Sequence, residues 1–262
     1  MAETILEINN LSKYFGGLAA VSHCSLKVKK GTITGIIGPN GSGKTTLFNL
    51  IAGNLKSSAG SVLFNNENIT DVPSYALFSK GLLRTFQIAH EFTNLSVLEN
   101  LMMVPGNQSG EKLMNALLKP SLVAKEESQI KEKAIEVVDF LNLSHLKNEL
   151  AGNLSGGQKK LLELGRTMMV DAKLVLLDEV GAGVNRTLLK DLGTAIEKLN
   201  KEKGYTFCMI EHDMDFIGRL CDPVIVMAEG SVLFEGTVEE AKKDEKVIES
   251  YLGRGSKLKD QN

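Results

Sequence analysis

The sequence has few of the features that mark secreted proteins and metal-bound proteins. It contains three cysteines, an odd number, and each stands apart from the others among apolar neighbours: Cys24, Cys208 and Cys221. Isolated thiols in apolar surroundings are typical of buried side chains in a reducing compartment, so neither a disulfide framework nor a cysteine metal site is expected. This pattern predicts a cytoplasmic protein.

Runs of apolar residues and runs of basic residues are both short. No apolar stretch approaches the roughly 20 residues that a helix needs to cross a bilayer. The first residues, MAETILE, have neither a basic flank nor a signal-like apolar run. Thirty basic residues stand against thirty-two acidic ones, and no basic tract is long enough to follow a phosphate backbone. We therefore expect no direct membrane insertion and no nucleic-acid partner.

Hydrophobic periodicity divides the 262 residues into three stretches. The first sixty or so read as strands, interrupted by one helix at about 44–52 that Gly53 would cap. From 88 to about 165 apolar residues recur at helical spacing, which predicts an inserted helical subdomain. After 165 strands and helices alternate, which favours a parallel sheet. The predicted strands are 5–8, 26–28, 32–37, 61–64, 174–177, 206–210, 224–227 and 232–234.

Two capping-box patterns mark helix starts. Ser96 and Glu99 predict a helix that contains Leu101, whereas Thr237 and Glu240 predict the start of the last helix. The polar residues 254–262 are predicted to be a disordered tail. Length and pattern together predict a single α/β domain over residues 1–253.

A glycine-rich loop carries the most specific signal. Residues 38–45, GPNGSGKT, match the phosphate-binding pattern G-x-x-x-x-G-K-[ST] between a strand and a helix. Small glycines let successive backbone N–H groups surround a β-phosphate, and the helix N-terminus adds its positive dipole end. Lys44 would reach the β- and γ-phosphates, and the Thr45 hydroxyl suits Mg²⁺. The predicted nucleotide-binding residues here are Gly38, Pro39, Asn40, Gly41, Ser42, Gly43, Lys44, Thr45 and Thr46.

An apolar strand at 174–177 ends in two acids, Asp178 and Glu179. This arrangement suits Asp178 to hold Mg²⁺ and Glu179 to orient an attacking water. Acids at strand ends are usually surface charges. The upstream phosphate-binding loop favours the functional interpretation.

A second glycine-rich segment, LSGGQ at 154–158, precedes the amphipathic run 159–170. It would form another helix start suited to an anion. Taken alone, the simpler interpretation is a serine cap on a glycine-rich loop. The residues concerned are Ser155, Gly156, Gly157 and Gln158.

In their order along the chain, these three motifs resemble the ABC ATPase family, over about residues 5–252. The resemblance implies a P-loop NTPase core with a mixed sheet, an N-terminal antiparallel β subdomain and an inserted helical subdomain. It also implies that two subunits, identical or homologous, sandwich two ATP molecules with Mg²⁺. Residues 155–158 would then face the γ-phosphate bound by the partner. Hydrolysis would drive transport through transmembrane permease subunits, at the cytoplasmic face of the inner membrane.

Single positions match the family as well. Phe15 resembles the aromatic residue that stacks on adenine, although Tyr14 could take that place. Gln87, in RTFQ at 84–87, resembles the Q-loop glutamine, which contacts the metal and relays nucleotide occupancy, although it could be a loop cap. His212 resembles the switch histidine that contacts the γ-phosphate, although a lone histidine is more often structural. Glu179, His212, Lys44 and Gln87 are the implied catalytic residues.

Some segments resemble one subgroup, the ATPases of branched-chain amino acid importers. These are AGVN at 182–185 and the segments 81–87 and 95–101. A substrate-binding protein would then be an indirect partner. Val180 stands where the family commonly has proline, which leaves the backbone after Glu179 freer, and Asn185 stands where many members have aspartate. Hydrolysis is expected nonetheless.

Three functions stay open on the sequence. The first is an importer ATPase for branched-chain or related amino acids. The second has the same motor role for another cargo, such as urea, short amides or an exported lipid. The third is a soluble ABC-type ATPase in assembly or repair, which the lack of coiled-coil insertions or a basic face disfavours. Within the helical subdomain, the apolar residues at 92–101 are either a docking groove for a permease helix or internal core.

Overall fold

A computed structural model describes residues 3–85, 91–106 and 108–256 of the chain. The contacts divide the chain into two compact units. The first comprises Met1–Arg84, Lys173–Gly181 and Glu197–Asn262, and the second comprises Thr85–Ala172 and Ala182–Ile196. The single domain over 1–253 and the insert at about 88–165 stay predictions.

The described residues form strands and helices close to those predicted. The strands are β1 Thr4–Phe15, β2 Leu18–Lys29, β3 Ile33–Ile37, β4 Ala59–Phe64, β5 Glu67–Asn68, β6 Leu82–Arg84, β7 Leu174–Asp178, β8 Thr206–Ile210, β9 Val224–Ala228 and β10 Ser231–Gly236. The α-helices are α1 Lys44–Ile51, α2 Ser74–Lys80, α3 Val97–Met102, α4 Leu113–Leu118, α5 Pro120–Phe140, α6 Gly156–Met168, α7 Arg186–Lys203, α8 Met214–Leu220, α9 Val238–Ala241 and α10 Glu245–Ser256. Short 3₁₀ turns lie at Ser109–Glu111, Ser144–Leu146 and Ala151–Asn153.

The first unit contains an antiparallel sheet in the order β2-β1-β4-β5. Buried Cys24, Leu26 and Val28 alternate with exposed residues along β2, which is the pattern of a strand with one face on the core. β1 and β2 are 12 residues each, longer than predicted, and several irregularities interrupt their register. The confirmed α/β class thus includes the antiparallel β part that the resemblance implies.

The same unit contains a six-stranded sheet in the order β10-β9-β3-β8-β7-β6. Neighbouring strands of this sheet pair in parallel, except that β9 and β10 pair antiparallel. Every residue of β3, β7 and β8 is buried, as expected of parallel strands covered on both faces. The parallel sheet predicted from the alternating pattern is confirmed.

The core of the first unit lies between α1 and the sheets. α1 buries Leu47, Phe48, Leu50 and Ile51 on one face, at the helical spacing seen in the sequence. These side chains join one buried cluster with residues of both sheets. Each fully buried side chain of this size contributes about 1.5–3 kcal/mol by leaving water. α1 is therefore held firmly behind the loop that precedes it.

The second unit is helical, and in the described residues it contains no strand beyond an isolated bridge. α5 buries Ala134, Val137 and Val138 along one stripe. Gly165 lets α6 pack closely against the end of α5, since an added Cβ at Gly165 would lie 2.7 Å from the Leu141 side chain. Glycine at this position therefore serves helix packing.

The segment around α3 contains a helix cap and two buried apolar side chains. The capping box of Ser96 and Glu99 is confirmed at the start of α3. Val97 and Leu101 are fully buried, so these two residues are internal core and not part of a docking groove. Phe92, in contrast, is 48% exposed.

The prediction that Thr237 and Glu240 cap the last helix was wrong in one respect. Thr237 and Glu240 form the predicted capping box, but the helix they cap, α9, has only four residues and is followed by α10. α10 runs to Ser256, and the disordered tail at 254–262 stays a prediction. Residues 257–262 lie outside the described part of the chain.

Within the residues that the structure describes, no helix is both long and apolar enough to span a membrane.

The three cysteines are free and buried, as predicted. Burial raises the pKa of Cys24 from 9.0 to about 11 and that of Cys221 to about 12, and it also raises the pKa of Cys208. For Cys24 this lowers the reactive thiolate fraction at neutral pH about 100-fold.

We expect N-ethylmaleimide at neutral pH to leave all three thiols unmodified in the native protein and to modify all three in denaturant, as measured by intact mass. Lys29→Cys, at an exposed position of β2, is the control and should react at once in the native protein. Fast native labelling of any of the three wild-type cysteines would contradict the buried assignment.

Candidate functional site

The glycine-rich loop lies between β3 and α1 and needs glycine at two positions. Gly38 has φ 148° and Gly43 has φ 100°, both in the region that favours glycine. An added Cβ would lie 2.1 Å from the Met227 carbonyl oxygen at Gly38, and 2.4 Å from the Ala20 carbonyl oxygen at Gly43. Any side chain at either position would therefore displace the backbone that surrounds the loop.

The first turn of α1 differs from the starts of α3 and α8. α3 and α8 begin with side-chain caps, Ser96 and Asp213, that accept hydrogen bonds from backbone N–H groups. At α1 the N-cap is Gly43, and among the described residues neither a side-chain cap nor a first-turn acid is present. The positive end of this helix is therefore open to an anion.

The Lys44 side chain is hydrogen-bonded to the backbone of the glycine-rich loop. Its Nζ atom donates to the carbonyl oxygens of Gly38, at 2.8 Å, and Pro39, at 3.1 Å. The side chain is buried, and the Ser42 N–H also donates to the Pro39 carbonyl. The loop is thus folded around the ammonium group that the sequence assigns to phosphate.

Asp178 ends β7 and is almost fully buried. Its Oδ2 atom accepts from Nη2 of Arg84 at 2.7 Å, and Nη1 of Arg84 donates to Oδ1 of Asn49 at 2.6 Å. Arg84 therefore joins the ends of β6 and β7 to α1. Sequence reasoning did not single out Arg84, although a charged residue that ends an apolar strand beside Leu83 was a usable signal.

Glu179 follows Asp178 with φ 49°, an uncommon value for a residue with a side chain. Its N–H donates to the Ile210 carbonyl at the end of β8, at 2.9 Å. Its Oε1 atom lies 2.9 Å from Nε2 of His212. An ionised carboxylate only accepts, so a hydrogen bond in this pair with an ionised Glu179 requires the imidazole proton on Nε2. The structure thus brings two predicted catalytic residues into direct contact.

Glu211 is a buried acid that sequence reasoning missed. Its Oε1 atom accepts from the Gly181 N–H at 2.7 Å, and Oε2 accepts from the His212 N–H at 3.3 Å. Burial raises the pKa of the Glu211 carboxyl, and the two N–H groups act in the opposite direction. Like Asp178 and Glu179, it directly follows an apolar strand, and this signal could have identified it.

In the second unit, residues 155–158 form a helix cap. The Ser155 side chain accepts from the Gln158 N–H, and the Gln158 side chain accepts from the Ser155 N–H. Gly157 packs against Leu188, which a Cβ would approach to 2.5 Å. Asn185 accepts from the Leu188 N–H at 2.9 Å, so it caps the start of α7 as aspartate would. The serine-cap geometry is present, and nucleotide binding here stays a prediction.

Two aromatic side chains lie near the turn between the first two strands. Phe15 and Tyr14 are both half exposed near the turn between β1 and β2, so either ring could meet a base. Lys13 lies 5.3 Å from the centre of the Phe15 ring. Gln87 lies outside the described residues.

The donors suited to a metal are hard oxygens. Thr45 is exposed in the first turn of α1, and Asp178 supplies a carboxylate. Mg²⁺ prefers oxygen ligands and usually keeps several waters or phosphate oxygens. In the described part of the chain no group of three or more His, Cys, Asp or Glu residues could hold a metal ion. The residues present therefore fit a metal bound together with phosphate.

Comparisons with known proteins agree with this geometry. The family model described as ABC transporter matches residues 21–182, and the model described as branched-chain amino acid ATP-binding cassette transporter matches 231–257. A probable branched-chain amino acid transport ATP-binding protein, LivG of Archaeoglobus fulgidus, is 43% identical over 249 residues, 95% of each chain. The high-affinity branched-chain amino acid transport ATP-binding protein BraF of Pseudomonas aeruginosa is 35% identical over 253 residues, 97% of this chain and 99% of the other.

Two solved structures are similar over nearly the whole chain. A nucleotide-free ATP-binding cassette from an ABC transporter has a TM-score of 0.81 and 41% identity, over 94% of this chain and 98% of the other. The ADP conformation of an ATP-binding cassette of an ABC transporter has a TM-score of 0.81 and 40% identity, over 95% and 99%.

The Arg84–Asp178 pair is the basis of a stability prediction. Arg84→Met should lower the free energy of unfolding by about 3–5 kcal/mol in urea denaturation, because it leaves a buried carboxylate unpaired. Arg84→Met combined with Asp178→Asn should recover part of that loss. Lys27→Met breaks the exposed pair with Glu7 and should cost less than about 1 kcal/mol. Equal losses for Arg84→Met and Lys27→Met would contradict the assignment.

Proposed function

Because the chain belongs to the ABC transporter ATP-binding family, we propose that it hydrolyses ATP to energise an importer of branched-chain or related amino acids. The observation that carries this proposal is the similarity to LivG and BraF over nearly the full length of each chain. The match at residues 231–257 to the branched-chain model supports the same cargo class.

Nucleotide binding would begin at the loop between β3 and α1. The β-phosphate would accept hydrogen bonds from backbone N–H groups of residues 38–43 and from the uncapped first turn of α1. Lys44 would exchange its carbonyl partners, Gly38 and Pro39, for phosphate oxygens. Phe15 would stack on the adenine ring. Thr45, Asp178 and Gln87 would hold Mg²⁺, which supplies charge neutralisation at the phosphates when bound.

Hydrolysis would use the acids and the imidazole at the ends of β7 and β8. Glu179 would orient a water and take its proton as the water oxygen bonds to the γ-phosphorus and the bond to ADP breaks. His212 would donate to a γ-phosphate oxygen from Nε2, the atom that now contacts Glu179. Each developing charge would thus meet a group that the strand ends already hold in position.

A complete site would require a second ATPase subunit, identical or homologous. Ser155, Gly156, Gly157 and Gln158 of that subunit would meet the γ-phosphate bound by the first. The Ser155 oxygen accepts from the Gln158 N–H at the cap, which leaves its own hydroxyl proton for a phosphate. Permease subunits would hold the pair at the cytoplasmic face of the membrane, and a substrate-binding protein would deliver the amino acid.

Two substitutions separate binding from turnover. Glu179→Gln should lower ATP turnover by about 10²–10⁴-fold while ATP affinity stays near that of the wild type, because a general base acts in the transition state. Lys44→Ala, the contrasting variant, should weaken ATP affinity itself, because it removes a charge-assisted contact to the phosphates. Nucleotide titration and steady-state hydrolysis measure the two effects. Normal turnover in Glu179→Gln would remove the assigned base.

Affinity capture tests the transporter role. Tagged protein would be isolated from gently solubilised membranes of its native cell, and co-purifying subunits identified by mass spectrometry. Two permease-like subunits, with a binding protein that takes branched-chain amino acids, would support the proposal. A binding protein for urea, amides or lipid would change the cargo. Recovery without any membrane protein would contradict the transporter role and favour a soluble ATPase.

A further inference from the structure

Glu211 has two hydrogen bonds but no part in the reaction described above. Only 4% of the residue is exposed, and it lies between the end of β8 and His212. A carboxylate that has left water is costly unless hydrogen bonds compensate. Its compensation comes from the backbone N–H groups of Gly181 and His212, which belong to the two segments that carry the predicted base and the predicted switch histidine.

These bonds complete a double attachment between two strand ends. On one side of Val180, the Glu179 N–H donates to the Ile210 carbonyl at 2.9 Å. On the other side, the Gly181 N–H donates to Glu211 at 2.7 Å. Val180 has no ring to fix its backbone, and Glu179 holds an uncommon φ of 49°. The two bonds therefore fix the backbone turn at Glu179 and, with it, the direction in which the Glu179 side chain points.

We propose that Glu211 is a positioning residue, which fixes the backbone on either side of the Glu179–His212 pair so that Glu179 is aimed at the attacking water. One carboxylate attaches to the segment after Glu179 through Oε1 and to the His212 backbone through Oε2. The side chains of Glu179 and His212 are 2.9 Å apart, between Oε1 and Nε2. The inference rests on the proposed function, because it assigns Glu211 to the same hydrolytic site.

The reach of the side chain and its charge can be tested separately. Glu211→Gln keeps the length of the side chain and an oxygen that accepts the shorter, 2.7 Å bond from Gly181. It removes the charge and the longer, 3.3 Å bond from the His212 N–H, because an amide nitrogen does not accept. Glu211→Asp keeps the charge but is one methylene shorter, so its carboxylate no longer reaches the Gly181 N–H. If Glu211 acts by positioning, the glutamine variant keeps the rate of hydrolysis that the aspartate variant loses. If it acts by charge, the aspartate variant is the faster of the two.

The measurement is single-turnover ATP hydrolysis by the full chain in its transporter complex, with nucleotide affinity measured alongside. We expect Glu211→Gln to stay within about 3-fold of the wild type, and Glu211→Asp to lose about 10–100-fold in rate with unchanged ATP affinity, since a misplacement of roughly 1 Å costs about that much. Thermal unfolding shows that each variant is folded at the assay temperature. Equal rates in both variants and the wild type, or a slower glutamine variant, would overturn the proposal.

A double-substitution cycle then separates positioning from general stabilisation of the fold. In the Glu179→Gln background, Glu211→Asp should cause little further loss, because the side chain that it positions no longer acts as a base. The same 10–100-fold loss in that background would show that Glu211 does not act through Glu179. Absence of hydrolysis by the wild-type complex would instead contradict the proposed function, and a hydrolysing complex that is insensitive to Glu211 contradicts this inference alone.

Discussion

Parallel pairing of β3 with β8 and of β8 with β7 places three strand ends at one edge of the same sheet. β3 leads into the glycine loop, β7 ends at Asp178, and β8 leads into Glu211 and His212. Every residue of these strands is buried, so a one-residue slip in register would move each side chain to the opposite face of the sheet and disrupt the packing on both faces. The hydrophobic effect thus fixes the positions of the charged groups that end or follow these strands.

The charges at this edge are held by partners within the protein. Arg84 and Asp178 pair while less than a tenth of either side chain is exposed, and Lys44 donates to loop carbonyls. In a medium of low polarity such contacts are strong, and an unpaired charge costs several kcal/mol. Each partner therefore limits where its charge can lie.

Local constraints made part of this arrangement predictable from the sequence. The loop at 38–45 could be predicted because Gly38 and Gly43 are needed for local backbone shape, and the buried strands because their apolar runs are continuous. The Arg84–Asp178 and Glu179–His212 contacts join residues 94 and 33 positions apart. Only the strand order brings them together, and a periodic pattern does not encode which strands are neighbours. The length of α10 was missed for a related reason, since the Thr237 cap marks only the nearest helix.

Nucleotide binding at such a site is an exchange of partners more than the ordering of a flexible loop. The Lys44 ammonium group already has two carbonyl acceptors, so a phosphate must compete with them, but the loop that presents it is already folded. The same reasoning holds for His212, whose Nε2 proton can serve Glu179 or a γ-phosphate oxygen but has one best geometry for each. In the proposed mechanism this proton goes to the phosphate, and Oε1 of Glu179 is then left to accept the proton of water. Arrival of the γ-phosphate would in this way prepare the base, which couples hydrolysis to correct occupancy of the site.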